Sequence, residues 1–129
     1  MNRVTQASIV REFSQADFDR FASLSGDNNP IHTDPEHSAQ TRFGRTVAHG
    51  LLLCSVLRGL IDKLVPGGRL TAQSVMFPAP TYAGEAMQFT VRLTNGQHGN
   101  NPDSFDVDLE IRRVADGIVT CQGQAAVRI

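Results

Sequence analysis

Residues 51–64 read LLLCSVLRGLIDKL. At 3.6 residues per turn the stretch makes about four turns of helix. Its first half, 51–57, is apolar on nearly every side, and a helix hydrophobic all round belongs inside a core. Pro66, Gly67 and Gly68 end it. The apolar run is far too short to span a bilayer, so no membrane role is expected. Beyond the helix the period changes. LTAQSVMF (70–77) is a candidate strand and PAPTYAGE (78–85) a turn-rich connection. Met87, Phe89, Val91 and Leu93 alternate with polar residues, as do Phe105, Val107, Leu109 and Ile111 with Asp106, Asp108, Glu110 and Arg112. A third alternation runs through Val119, Cys121, Ala125, Val127 and Ile129. Period two predicts antiparallel strands with one wet and one buried face. NGQHGNNPDS (95–104) reads as a polar loop and ADG (115–117) as a turn.

Upstream of the helix, residues 3–13 are rich in β-branched side chains and predict an opening strand. Ser14 followed by Asp17 predicts a capping box. Phe18, Phe21 and Ala22 then form one apolar helical face, which Gly26 terminates. Asp34 and Pro35 start a second, short helix expected to end near Phe43 or Gly44. One strand, several helices and four further strands make an α+β fold in which an antiparallel sheet covers one apolar helix. A single such sheet leaves open edges and a small core, so pairing with a second copy is expected.

The bulk numbers agree with one soluble domain. The chain has 129 residues, 40% of them hydrophobic, with 12 Lys plus Arg against 13 Asp plus Glu. A net charge of −1 argues against a nucleic-acid or polybasic membrane partner. Cys54 and Cys121 sit in apolar surroundings, which predicts reduced, buried thiols, and their spacing fits no zinc pattern. The N-terminus has no uninterrupted apolar core of a signal peptide, so a cytoplasmic chain is expected.

Residues 24–32, LSGDNNPIH, hold more chemistry than a turn requires. A turn calls for Gly, Asn or Pro but not for His32, and the stiff Pro30 fixes the backbone between Asp27 and His32. Taken singly, Asp27 is a turn residue and His32 a satisfied polar residue. Together with AHG (48–50) at the head of the apolar helix, the segment resembles the MaoC-like (R)-specific enoyl-CoA hydratases. Leu24, Ser25, Gly26, Asp27, Asn29, Pro30, Ile31 and His32 fill that family's motif in order, and Ala39 fits a small position beyond it. Residues 74–93 resemble the family's segment of Phe, Pro, Gly-acid turn and alternating strand.

The resemblance implies a single hot-dog domain over 1–129, with a curved antiparallel sheet around a long central helix, acting as a homodimer. It implies (R)-specific hydration of a trans-2-enoyl-CoA thioester, or the reverse dehydration, with Asp27 and His32 as catalytic dyad. No cofactor or metal is called for; the CoA thioester is the substrate. A carboxylate and an imidazole can share one water, supplying the proton transfers at C3 and C2. Gly50, where the helix begins, is the candidate oxyanion donor, because helix N-termini leave amides open and glycine admits close approach. Asn29 is a weaker candidate, for orienting the loop or dyad or as ordinary turn chemistry.

Ser55 and Arg58 are candidates for the acyl pocket; Ser55 alternatively bonds back to a helix carbonyl, and Arg58 is a long cation where the family tends to have a small residue. His49 is read as structural, bonding nearby backbone, with His37 solvated and His98 unassigned. Arg42, Arg45 and Arg69 are unranked candidates for the CoA phosphates. Two other functions compete. A thioesterase needs a carboxylate on the central helix, yet 51–60 hold no Asp or Glu and Asp62 comes late. A non-catalytic acyl-binding subunit has no need of both Asp27 and His32.

Overall fold

The computed structural model describes residues 4–94 and 103–129. His98 and residues 95–102 of the expected polar loop lie outside them. The chain runs β1 (Gln6–Glu12), α1 (Gln15–Ser25), α2 (Pro30–Thr33), α3 (Pro35–Ala39), α4 (Gly50–Leu64), β2 (Arg69–Met76), β3 (Ala86–Leu93), β4 (Ser104–Arg113) and β5 (Val119–Arg128). All strand pairs are antiparallel and the sheet order is β1-β3-β4-β5-β2. The long helix α4 lies on the sheet's inner face, which is the hot-dog arrangement the resemblance implied.

Alternation decides which side of the sheet is dry. Met87, Phe89 and Val91 of β3 and Val107, Leu109 and Ile111 of β4 are buried, and they meet Leu53, Leu57, Leu60, Ile61 and Leu64 of α4. Each such side chain removed from water is worth about 1.5–3 kcal/mol. On β5 the alternation breaks. Ile111 pairs with Cys121 but Arg112 pairs with Val119, so Thr120 is the extra residue of a bulge. The bulge turns Thr120 inward beside Cys121, where its hydroxyl meets that of Thr81 at 3.1 Å. Val119 is therefore only half-buried, and Ile129, past the end of the strand, is exposed. At Gly123 any side chain would run into the Ser74 carbonyl, so the glycine is what lets β2 curl close to β5.

The helices follow their caps. Ser14 Oγ accepts from Asp17 N–H, and the Asp17 carboxylate accepts from Ser14 N–H at 2.9 Å, completing the expected box. That backbone donor, and then Arg20, hold the Asp17 carboxyl below its ordinary value. Gly26 closes α1 at φ 82°, a left-handed conformation.

Three expectations need correction. The helix opened by Asp34 and Pro35 ends at Ala39, earlier than expected, because Thr41 Oγ1 donates to the Ser38 carbonyl at 2.7 Å and competes with the backbone. Helix α4 is not enclosed on every side. Leu51 is 72% exposed, Ser55 and Gly59 are also exposed, and Leu52, Cys54 and Val56 are half-buried. One five-stranded sheet covers one face of a helix and leaves the other open. Cys54 is correspondingly half-buried and only Cys121 fully so; both are free thiols. Burial, followed by the proximity of Cys54, pushes the Cys121 thiol up to about 12. Among the described residues no helix is long and apolar enough to cross a membrane.

Candidate functional site

The segment after α1 is a ladder of side chain to backbone bonds. Ser25 Oγ accepts from Asp27 N–H at 3.1 Å, Asp27 Oδ1 from Asn29 N–H at 3.4 Å, and Asn29 Oδ1 from Ile31 N–H at 3.1 Å. Asn29 is thus the N-cap of α2, with Pro30 in its first turn. This one-turn helix carries His32 into the protein, where the residue is 8% exposed. Its Nδ1 lies 2.8 Å from the Val47 carbonyl. A carbonyl only accepts, so Nδ1 holds the proton and Nε2 keeps its lone pair. That Nε2 faces Asp27 Oδ2 at 3.9 Å, with the Asp27 side chain 56% exposed. The span is too long for a direct hydrogen bond and suits a bridging water.

Strand-like residues 46–48 bring the other half of the site. Val47 N–H donates to the Ile31 carbonyl and Ala48 N–H to that of Thr81. Thr46 donates to Gln15 Oε1, and Gln15 Nε2 donates to the His32 carbonyl at 2.8 Å. Gln15, in the first turn of α1, thereby fixes the helix bearing His32; no motif or periodicity marks it. His49 is the N-cap of α4 but supplies no side-chain cap. The first bond into the helix is Leu53 N–H to His49 O at 3.3 Å, which leaves the amides of residues 50–52 open at the positive end of the helix. A Cβ on Gly50 would lie 3.0 Å from the Phe77 ring, so any larger residue there would require that ring to give way.

Two cavities meet at Gly50 and Phe77. One of about 540 Å³ is lined by His32, Arg42, Phe43, Leu53 and Tyr82 as well. The other, of about 380 Å³, is lined also by Phe21, Asp27, His49 and Cys54. Phe77, 44% exposed, is the shared wall; it is the Phe of the segment that carries the family resemblance, where the sequence alone assigns it no role. The structure thus brings Asp27, His32 and Gly50 to one place. Of the three arginines, Arg42 lines the first cavity, Arg45 is paired with Glu85 at 3.1 Å and Arg69 lies on the edge strand β2. Ser55 and Arg58 stand apart from both cavities. Ser55 Oγ donates back to Leu52 O at 2.6 Å and lines a separate depression with Ile9 and Lys63. Arg58 reaches away to the Gly68 carbonyl at 2.8 Å. Neither lines either of the two cavities that meet at Gly50. His37 is exposed, as expected.

His49 does bond backbone, its Nε2 lying 2.9 Å from the Asp27 carbonyl, but its ring also stacks on His32 with centroids 3.8 Å apart. Asp27, His32 and His49 each offer one ligand atom within 4.8 Å of the others. The ring planes are only 22° apart, so their lone pairs leave in nearly parallel planes and do not converge on one ion unless a ring turns.

Against known proteins, a family model described as MaoC like domain matches residues 1–115. An (R)-specific enoyl-CoA hydratase from Aeromonas caviae is 37% identical over 91 residues, 69% of this chain and 68% of that protein. One from Rhodospirillum rubrum is 30% identical over 125 residues, 95% of this chain and 84% of its own length. A solved structure of the (R)-hydratase from A. caviae involved in PHA biosynthesis superposes with a TM-score of 0.88 at 30% identity, covering 100% of this chain and 97% of that one.

Proposed function

The chain belongs to the MaoC-like domain family and is an enzyme of the hydratase and dehydratase kind, a hydro-lyase; from that premise we propose that it interconverts a trans-2-enoyl-CoA and the (R)-3-hydroxyacyl-CoA. The observation that carries this reading is the approach of Asp27 Oδ2 and His32 Nε2 to 3.9 Å beside the open Gly50 amide. Asp27 and His32 hold one water between them. As its oxygen attacks C3 the pair takes one proton from it, and a proton is returned at C2, so that one water is added overall. Val47 keeps the His32 proton on Nδ1, leaving Nε2 free for the exchange. Negative charge growing on the thioester oxygen is met by the Gly50 N–H, a contribution of about 3 kcal/mol for a donor of this type. Asn29 acts on the backbone, by capping α2, rather than on substrate. No cofactor enters the scheme.

In this reading a single domain works as a cytoplasmic homodimer. Leu51 and Leu24, at 72% and 83% exposure, lie on the uncovered side of α4 and α1, and a second copy supplies the missing cover. Leu51→Glu should halve the mass measured by light scattering; an unchanged mass removes this interface.

Crotonyl-CoA tests the reaction. Loss of the enoyl absorbance without thiol release is the expected result. Thiol release would make the protein a thioesterase, and no reaction across a series of acyl lengths would leave it a binding protein.

A further inference from the structure

His49 Nδ1 is the one buried side-chain nitrogen or oxygen among the described residues that has no hydrogen-bond partner. An orphaned buried polar atom costs free energy, so its retention asks for a compensating role. The ring is 2% exposed and held on three sides. Its Nε2 lies 2.9 Å from the Asp27 carbonyl, its face stacks on His32 at 3.8 Å, and Phe21 packs against it at 4.9 Å. Because the Asp27 carbonyl accepts only, Nε2 carries the proton and the bare nitrogen is Nδ1. His32 has the opposite arrangement, with its proton on Nδ1. As neutral rings, the two stacked imidazoles are opposite tautomers, each fixed by one main-chain carbonyl.

We propose that His49 is a positioning residue for the reaction: as a neutral Nε2–H imidazole it pins the main chain of Asp27 and forms the platform on which the His32 ring rests. One side chain thereby sets both partners of the pair, and it does so from the residue directly before Gly50, so that all three groups are referred to the start of α4. The buried bare nitrogen is the consequence of this arrangement, since the only proton is committed to Asp27.

The inference rests on Asp27 and His32 being the reacting pair, and its test separates the two. Nitrogen-15 NMR of the whole chain at neutral pH should show His49 protonated on Nε2 and bare on Nδ1, and His32 the reverse. Identical tautomers would overturn the proposal. In kinetics with crotonyl-CoA, His49→Phe keeps a stacking ring but loses the donor. Its kcat should fall about 100-fold, the usual effect of a misplacement near 1 Å, with KM within about threefold. His49→Gln restores an N–H at the position of Nε2 and should recover at least about tenfold of that loss, as a regained donor would. A His49→Phe enzyme as fast as wild type, or equal losses in both variants, would overturn the role. If His49→Phe does not fold, His49→Gln and the nitrogen spectra still decide. An inactive wild-type chain would sink the assigned reaction instead, and the spectra would still judge His49.

Discussion

The sheet and the segment between α1 and α4 are held together by different forces. In β3 and β4 every second side chain is buried and apolar, and the dry face is continuous. Between residues 24 and 50 the buried residues are mainly polar: His32, Ser38, Thr46 and His49 accompany Val47. There, side chains anchor main-chain carbonyls one at a time. Gln15 bonds that of His32, His32 that of Val47, His49 that of Asp27, Ser38 that of Pro30, and Tyr82 that of Phe43. Burial gives the sheet stability without demanding a unique atom pair. Single hydrogen bonds give the site position, at a net gain of only about 1 kcal/mol each. The comparison teaches that mutations in the two regions should separate rate from stability.

The sharpest test of that separation is Asp27→Asn. It should lower kcat about 10³-fold or more on crotonyl-CoA while leaving the thermal midpoint nearly unchanged, because Asp27 Oδ1 loses little that an amide oxygen cannot accept. Next comes Phe89→Ala, expected to cost about 4 kcal/mol in denaturant unfolding with kcat preserved in the folded fraction, since Phe89 is fully buried against Phe13 and α4. A large rate effect from Phe89→Ala at low denaturant would break the division. Gln15→Ala should cost about 1–2 kcal/mol and also slow turnover, because Gln15 serves α1 and His32 together.

The smallest effect is Ser14→Ala, about 1 kcal/mol from the lost cap. The Asp17 half of the same box has a pH dependence of definite sign. The Asp17 carboxyl is held below its ordinary value in the folded chain. Its contribution is therefore present above the unfolded value near 4 and lost as pH falls through the lower folded value. Wild type and Asp17→Asn should converge in stability in acid, as followed by circular dichroism, whereas Ser14→Ala keeps the main-chain donor to Asp17 and should keep most of its deficit.

The two regions were also unequally legible. Alternation exposed the sheet because period two is a property of many residues at once, and the capping box of α1 and the glycine at its end are local rules. The Asp27–His32 loop was legible as a motif. What stayed hidden depends on pairs distant in sequence. Gln15 has no neighbour in sequence that announces His32, and the stack of His49 on His32 needs the bridge between Val47 and Tyr82 that brings residues 46–48 into place. The bulge at Thr120 shifts one residue against a regular pattern, and the open side of α4 looks apolar in sequence whether or not anything covers it.

The strand order has a kinetic consequence. β1 pairs with β3, Ile9 opposite Phe89, so the zipper that joins them closes a loop containing all four helices and β2. Closing so long a loop before any local reward is slow. The acid and imidazole of the site are close neighbours along the chain, yet they acquire their fixed environment only after the two ends of that loop have met. Recovery of turnover during refolding should therefore lag behind the first helical signal and coincide with the pairing of the opening strand.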